Sequence, residues 1–276
     1  MELAYSLNTL YFLLSGVLVM WMAAGFTMLE AGSVRSKNVI EILLKNVALY
    51  SVASLGFLLG GYSLMYGWGD IATHSIYSDF FFQVVFAATA MSVVSGAVAE
   101  RKKLWTFLLF AALFTTLIYP IQGAWSWGGG WLSERGFFDF AGSGIVHMAG
   151  AAAALAGVLI LGPRKGKYLP DGTPRPIHGS NAPLVALGTL ILWMGWFGFN
   201  GGSQLAIDGI VNADAVAKIF VNTNTAAAAG LIAAMILSKL WLGKTALNAT
   251  TNGALAGLVV ITADPLTPSP IMAMVY

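Results

Sequence analysis

Eight long apolar runs follow one another along the chain, and each is close to the length that a membrane-spanning helix needs. A helix requires about 20 mainly apolar residues to cross the hydrocarbon core of a bilayer. The runs cover residues 8–32, 40–66, 80–99, 103–122, 140–162, 183–205, 216–238 and 247–263. Residues 268–276 read as the start of a ninth. The pattern predicts an all-α, polytopic membrane helical bundle, with residues 1–276 forming one transmembrane domain.

Charged residues are distributed unevenly between alternate loops. Loops after the first, third, fifth and seventh runs hold Arg35, Lys37, Arg101, Lys102, Lys103, Arg164, Lys165, Lys167, Arg175, Lys239 and Lys244. The loops on the other side hold only Arg135 and Lys218, and Lys45 lies within the second run. The positive-inside rule then predicts a multi-pass protein of the plasma or inner membrane with its N-terminus outside. The outer side is acidic, which favours cations at the entrance; its residues are Asp70, Asp79, Glu134, Asp208 and Asp214.

Composition and short motifs exclude several classes of function. Hydrophobic residues make up 58% of the chain and charged residues only 9%, and no basic stripe points to a nucleic-acid partner. Without cysteine, no thiolate metal site or cysteine nucleophile can form. A Gly-x-Ser-x-Gly elbow and a His-Glu-x-x-His zinc motif are both absent from the sequence. His74 and His178 fall in loops on opposite sides. We therefore expect no enzyme activity, no cofactor and no bound metal.

The two halves of the chain share a faint internal repeat. Ala31-Gly32-Ser33 lies at the end of run 1 and Gly201-Gly202-Ser203 near the end of run 6, while runs 2 and 7 carry Lys45-Asn46 and Asn222-Thr223. An offset of five spans gives the halves opposite orientations in the membrane. Transporters commonly contain such inverted repeats, with the substrate site between the halves. Convergent membrane composition is the alternative explanation.

Aromatic and hydroxyl residues cluster at the outer ends of three runs. Phe82 and Phe86 are four residues apart and share a helix face, although two core or lipid-facing rings would look the same. Trp127 lies beside three consecutive glycines, which a simple interfacial tryptophan belt does not explain. Phe199 and Ser203 are also four apart and can face one cavity, or the serine can bond back to its own helix.

Two ionisable residues, Asp139 and His147, lead into the fifth run. Ionisable groups within a bilayer are costly and usually mark a pathway for an ion or a proton. Asp139 is also placed to cap the helix that follows it. His147 is placed near the middle of the membrane, where the alternative is a core histidine with satisfied hydrogen bonds.

These clusters, in this order, resemble the ammonium transporter (Amt/Rh) family over nearly the whole chain. The most specific stretches are residues 25–38, 139–147, 195–203 and 252–259. The resemblance implies an outer ammonium-binding vestibule formed by Trp127, Ser203, Phe86 and the buried acid Asp139. It also implies a gate of Phe86 and Phe199 with Phe82 beside it, and a pore lined by His147 and Trp196.

The resemblance implies a function and a set of partners as well. Ammonium would lose its proton near the gate, ammonia would cross the pore, and the proton would travel separately. A homotrimer and a regulator of the PII type are implied partners. The family has eleven spans with a second pore histidine on the tenth, so we expect a chain truncated after the eighth. An ammonium-sensing domain coupled to a fused signalling module is the main alternative, and a non-conducting scaffold subunit is a third.

Overall fold

The computed structural model describes residues 2–276, and every regular element in that range is helical. Eight principal helices follow the chain, with a ninth short one at its end. They are α1 (Glu2–Ser33), α2 (Ser36–Met65), α3 (Ile76–Ala97), α4 (Leu104–Ala124), α5 (Ser143–Leu161), α6 (Ala182–Gly202), α7 (Gly209–Leu242), α8 (Leu247–Ile261) and α9 (Pro270–Val275). Trp131–Glu134 adds one helical turn between α4 and α5.

The predicted spans are confirmed, with differences at their ends. Seven helices within residues 2–276 are long and apolar enough to cross a membrane. The eighth is apolar but has only 15 residues, about 22 Å at the α-helical rise. Helix α7 has 34 residues and extends beyond the predicted 216–238 at both ends. A helix does not stop where the bilayer begins, because its backbone hydrogen bonds are internal.

Three stretches of π-helix interrupt the spans, which the hydrophobic pattern did not predict. They are Phe57–Gly61 in α2, Phe114–Ile118 in α4 and Ser143–Met148 at the start of α5. The stretch in α4 comes just before Pro120, whose missing N–H and bulky ring disturb the α-helical bonding of the preceding turn. The stretch in α5 carries His147 and therefore sets the direction of a predicted site residue.

Helices α1 and α6 pack closely against each other in antiparallel directions. A Cβ atom at Gly25 would lie 3.0 Å from the carbonyl oxygen of Gly188, and one at Gly188 would lie 2.6 Å from that of Gly25. Further along, a Cβ at Gly198 would lie 2.6 Å from the carbonyl oxygen of Ser15. Small residues let membrane helices approach to backbone contact in this way. The pair that the repeat relates thus forms the seam between the two halves.

A buried polar cluster joins α1, α2 and α3 near the end of the bundle that carries the basic loops. Lys45 Nζ donates to Glu30 Oε2 at 2.5 Å and also to Ser95. Ser95 Oγ donates to Glu30 Oε1 at 2.7 Å, and the Lys45 side chain is fully buried. The serine supplies the additional hydrogen bond that a buried ion pair needs to offset desolvation.

A neutral cluster occupies the corresponding place in the second half, at the opposite end of the bundle. Asn200 Nδ2 donates to Thr223 Oγ1 at 3.0 Å, and Thr262 Oγ1 lies 3.0 Å from Asn200 Oδ1. Asn200 and Thr223 lie in α6 and α7, and Thr262 directly follows α8. Equivalent helices therefore hold equivalent polar junctions, which supports the inverted repeat.

The basic loops after α1, α3 and α5 meet on one face of the bundle. Glu100, whose side chain is fully buried, accepts from Arg35 Nε at 2.9 Å and from Arg164 Nη1 at 3.1 Å. Asn38 Nδ2 donates to the same carboxylate at 2.5 Å. Three loops that the charge pattern assigned to one side are thus joined by one carboxylate.

Candidate functional site

A cavity of about 320 Å³ opens at the end of the bundle that the charge pattern predicts to be the outer one, and we call it the vestibule. Helix α3 contributes Phe82, Gln83 and Phe86 to its wall, and the segment after α6 contributes Ser203. Trp127 and Asp139, from the connection between α4 and α5, complete one side. The structure thus brings the four predicted vestibule residues to one cavity.

Trp127 is fixed by the fold of its own loop. Its Nε1 donates to the backbone oxygen of Asp139 at 2.9 Å. The glycines that follow let the chain turn back beneath it: Gly129 has a φ of +75°, and the N–H of Gly130 bonds the carbonyl of Ala124 at 3.0 Å. A left-handed φ favours glycine over any residue with a Cβ, which explains Gly129, whereas a Cβ at Gly128 or Gly130 would collide with the carbonyl oxygen of Met65 or of Ala124.

Two stacked phenyl rings form the floor of the vestibule. The centroids of Phe86 and Phe199 are 4.1 Å apart, with the ring planes at 29°. Phe82 lies 4.7 Å from Phe86, and Trp127 meets Phe86 edge-on at 6.0 Å. Phe82, Phe86 and Phe199 are almost completely buried. The pair separates the vestibule from the interior of the bundle.

Ser203 both bonds back to its own helix and lines the vestibule. Its hydroxyl donates to the carbonyl oxygen of Phe199 at 2.8 Å. Donating its only proton leaves the hydroxyl oxygen as an acceptor. The two interpretations of the sequence are therefore compatible.

Asp139 caps the start of α5, and both of its carboxylate oxygens accept hydrogen bonds from backbone N–H groups. Oδ1 accepts from the N–H groups of Gly142 and Ser143 at 3.1 and 2.9 Å, and Oδ2 accepts from Gly144 and Ile145 at 2.8 Å each. The helix begins at Ser143, four residues after Asp139. The carboxylate touches the vestibule wall, but its hydrogen bonds all hold the start of α5.

His147 lies on the side of the phenylalanine pair that faces away from the vestibule. Its Nδ1 is 3.1 Å from the carbonyl oxygen of Gly142. Because a carbonyl can only accept, Nδ1 carries the proton in the neutral ring and Nε2 is the bare acceptor. That Nε2 is buried and has no hydrogen-bond partner within the described chain. The ring stacks on Trp196 with centroids 5.0 Å apart and planes at 7°.

Trp196 is held in turn by the neutral polar cluster of the second half. Its Nε1 donates to Thr262 Oγ1 at 2.7 Å. The first half therefore supplies His147, and the second half sets the plane of the ring that stacks on it.

A second cavity of about 660 Å³ continues inward from His147. Its wall includes Trp196, Phe26 and Glu30. Glu30 was not predicted as a site residue, and neither were Gln83 and Tyr66, which line the vestibule. Gln83 stands between two predicted gate rings in the sequence, and this polar residue in an apolar run was the available signal.

Other ionisable groups do not form a site of their own. Within residues 2–276, no group of three or more His, Asp or Glu side chains is arranged to hold a metal ion. Asp79, predicted in an outer loop, lies instead in the first turn of α3 and is buried. The hydrophobic run that predicted α3 begins at residue 80, one residue too late to include it.

Comparisons with known proteins agree with this architecture. The sequence model of the Ammonium Transporter Family matches residues 10–276. Ammonium transporter Amt2 of Archaeoglobus fulgidus is 47% identical over 275 residues, which cover 91% of this chain and 58% of that protein. The ammonium transporter of Bacillus subtilis is 34% identical, over 92% of this chain and 65% of its own length. The chain therefore spans about three fifths of the length of these relatives.

Solved structures give the same result. A structure named Sensor Amt Protein superposes with a TM-score of 0.93 at 37% identity, over 99% of this chain and 72% of the other. Mep2 of Candida albicans superposes with a TM-score of 0.85 at 28% identity, over 98% of this chain and 63% of the other. On the family match and these relatives, the chain belongs to the ammonium transporter family.

Proposed function

We propose that the chain forms the outer vestibule, the gate and the first pore histidine of an ammonium/ammonia channel or transporter. The observation that carries this proposal is that three groups of side chains lie one below another along one axis. An aromatic cavity with a hydroxyl acceptor lies above two stacked rings, and an imidazole with an unpartnered Nε2 lies directly below them.

The vestibule suits a small cation that also donates hydrogen bonds. The faces of Trp127 and Phe86 attract a partly desolvated cation by about 0.5–2 kcal/mol. The oxygen of Ser203 is free to accept one N–H bond, because its own proton is given to Phe199. Ammonium satisfies both requirements. Asp139 contributes a negative charge near the cavity and holds Trp127 in place through its backbone oxygen.

The gate and His147 then separate the proton from the nitrogen. The stacked rings of Phe86 and Phe199 leave no polar path for a hydrated ion. A neutral ammonia molecule crosses such an apolar layer far more easily than ammonium, because burying an unpaired charge is costly. The bare Nε2 of His147 can accept the proton or a hydrogen bond, and histidine can both take up and release a proton.

Flux measurements on the purified chain test the proposal. The chain would be reconstituted in liposomes with an internal pH dye and given an inward ammonium gradient. We expect a saturable pH change that His147→Ala abolishes, while His178→Ala, in an exposed loop, leaves it unchanged. Binding of ammonium, measured by calorimetry, should survive His147→Ala and be lost in Trp127→Leu. Equal loss of binding and flux in His147→Ala would refute the role given to this residue.

An ammonium-sensing domain without net transport is the second candidate. The structural neighbour at TM-score 0.93 is named a sensor protein, which favours this candidate over a scaffold. A sensor would keep the vestibule and bind ammonium without flux. Ammonium binding lost in Trp127→Leu, together with no pH change in liposomes, would select it.

The wider setting of the proposal follows from the family resemblance. Three features stay predictions. They are a homotrimer, a partner that is either a PII-type regulator or a fused signalling domain, and a location in the plasma or inner membrane with the N-terminus outside. Cross-linking in native membranes and protease protection of the termini test the first and the last of these.

A further inference from the structure

A buried carboxylate lies one layer behind the vestibule wall. Asp79 is 8% exposed and accepts a hydrogen bond from the hydroxyl of Tyr62 at 2.5 Å. Within residues 2–276, no lysine or arginine nitrogen lies within 4.0 Å of it, and the nearest basic group is His74, with Nε2 3.7 Å from Oδ1. Asp79 therefore has no permanent cation within salt-bridge distance.

Gln83 connects this carboxylate to the vestibule. It lies one helical turn after Asp79, and its side chain lines the cavity. Its Nε2 donates to Asp79 Oδ1 at 3.4 Å, while Tyr66, also on the vestibule wall, donates its hydroxyl proton to Gln83 Oε1 at 2.9 Å. Hydrogen bonds therefore connect Asp79, Gln83 and Tyr66, from the buried carboxyl group to the wall of the cavity.

The chemistry of the carboxylate fixes which way the amide of Gln83 faces. Both carboxylate oxygens of Asp79 accept hydrogen bonds, Oδ2 from Tyr62 and Oδ1 from the NH₂ group of Gln83, and this contact turns the NH₂ group toward Asp79. The opposite orientation would place the amide oxygen against the carboxylate. The carbonyl of Gln83 is thereby held on the other side, with one lone pair taken by Tyr66 and the second available. Without Asp79, the amide can rotate and present N–H donors, which repel a cation.

We propose that the amide oxygen of Gln83 is a further ammonium-binding group of the vestibule, and that Asp79 is the positioning residue that orients it. The ligand class is a small cation with several N–H donors, such as ammonium or methylammonium. Ser203 and Gln83 then provide two acceptors, and the rings of Trp127 and Phe86 provide the aromatic walls. This inference rests on the proposed function, because it assigns an additional contact within the same vestibule.

The competing interpretation is that Asp79 serves only to anchor α3 to α2 through Tyr62. An anchor would affect folding, but it would not act through Gln83. The two are separated by a double-mutant cycle, because only the positioning role makes the effects of Asp79 and Gln83 on ammonium affinity non-additive.

The experiment titrates ammonium chloride into the purified chain by calorimetry at constant ionic strength, with unfolding temperature measured in sodium chloride. The variants are Asp79→Asn, Gln83→Leu and the double variant. Gln204→Leu is the matched control, because Gln204 is an outer-end glutamine that bonds Asn212 and does not line the vestibule. Asparagine keeps an acceptor for Tyr62, so Asp79→Asn should fold.

We expect each single variant to weaken ammonium binding on the order of tenfold, the scale of one hydrogen bond to a charged group. The double variant should bind little worse than either single variant, and Gln204→Leu should bind as the unaltered chain does. Any fall in unfolding temperature should not follow the loss of ammonium affinity across the three variants.

Three results would overturn the inference. The first is binding that Trp127→Leu weakens while Asp79→Asn and Gln83→Leu do not, which leaves the proposed function standing. The second is additive losses that follow a fall in unfolding temperature, which favours the anchor. The third is an unaltered chain that does not bind ammonium, which refutes the vestibule assignment and this inference together.

Discussion

Replacement of Asp139 tests how the start of α5 is held. Asp139 accepts four backbone N–H bonds, two on each carboxylate oxygen. Asparagine keeps one oxygen, so Asp139→Asn retains the bonds to Gly142 and Ser143 and turns an NH₂ group toward the N–H groups of Gly144 and Ile145. Alanine loses all four bonds. The order of damage should therefore be alanine, then asparagine.

The magnitude follows from counting these bonds. A hydrogen bond to a charged group contributes about 1.5–3 kcal/mol to stability. At the lower end of that range, losing two bonds costs about 3 kcal/mol in Asp139→Asn, and losing four costs about 6 kcal/mol in Asp139→Ala. Both are large relative to the effects of most single substitutions.

Denaturant unfolding in detergent micelles, followed by tryptophan fluorescence, measures the free energies. Asp264→Asn is the matched control, because Asp264 accepts one bond, from Thr267 N–H at 3.0 Å, which asparagine can keep. Its free energy of unfolding should change little. Equal destabilisation by Asp139→Asn and Asp139→Ala would show that the charge, and not the number of capping bonds, matters. An Asp139→Asn variant as stable as the unaltered chain would refute the capping argument altogether.

Two further predictions concern the inner face and the α1–α6 seam. Burial alone would raise the pKa of Glu100, but hydrogen bonds from Arg35 and Asn38 outweigh it and hold that pKa below its ordinary value of 4.5. A depressed pKa gives stability that is present above the unfolded-state value and lost as the pH falls through the folded-state value. Thermal unfolding should therefore show an acid-induced loss below about pH 4.5 that is smaller in Glu100→Gln, and identical profiles would contradict this. Gly188→Ala should cost about 1–3 kcal/mol by overpacking α1 against α6, measured by the same denaturant unfolding. Gly69→Ala, where a Cβ would meet nothing within 4 Å, is its control, and equal stability of the two would refute the close-packing argument.

The positions of the membrane-spanning helices could be predicted because they depend on local composition. A bilayer forces each crossing segment to bury its backbone polar groups in a helix, so an apolar run of sufficient length is enough to place α1–α7. The charge pattern assigned the loops after α1, α3 and α5 to one side, and the structure joins these three at Glu100. The vestibule residues followed from clusters and from the family resemblance, since aromatic and polar residues stand out in an apolar sequence.

The hydrophobic pattern could not predict the backbone geometry within a helix or the contacts between distant residues. The π-helical start of α5, which directs His147 toward Trp196, arises from the local backbone and its cap and has no signature in hydropathy. Asp79 was assigned to a loop because a carboxylate ends an apolar run, whereas in the fold Tyr62 and Gln83 give it partners that make burial tolerable.

The sequence by itself therefore determined which segments cross the membrane, which loops share a side and which residue types are available for a cation site. These properties depend on the bilayer as a solvent, and they act on each segment separately. Only the tertiary structure decided which of those residues face one cavity and which of their atoms are free. Whether Nε2 of His147 is unpartnered, or which way the amide of Gln83 turns, is set by hydrogen-bond partners that reach these side chains from other turns and other helices.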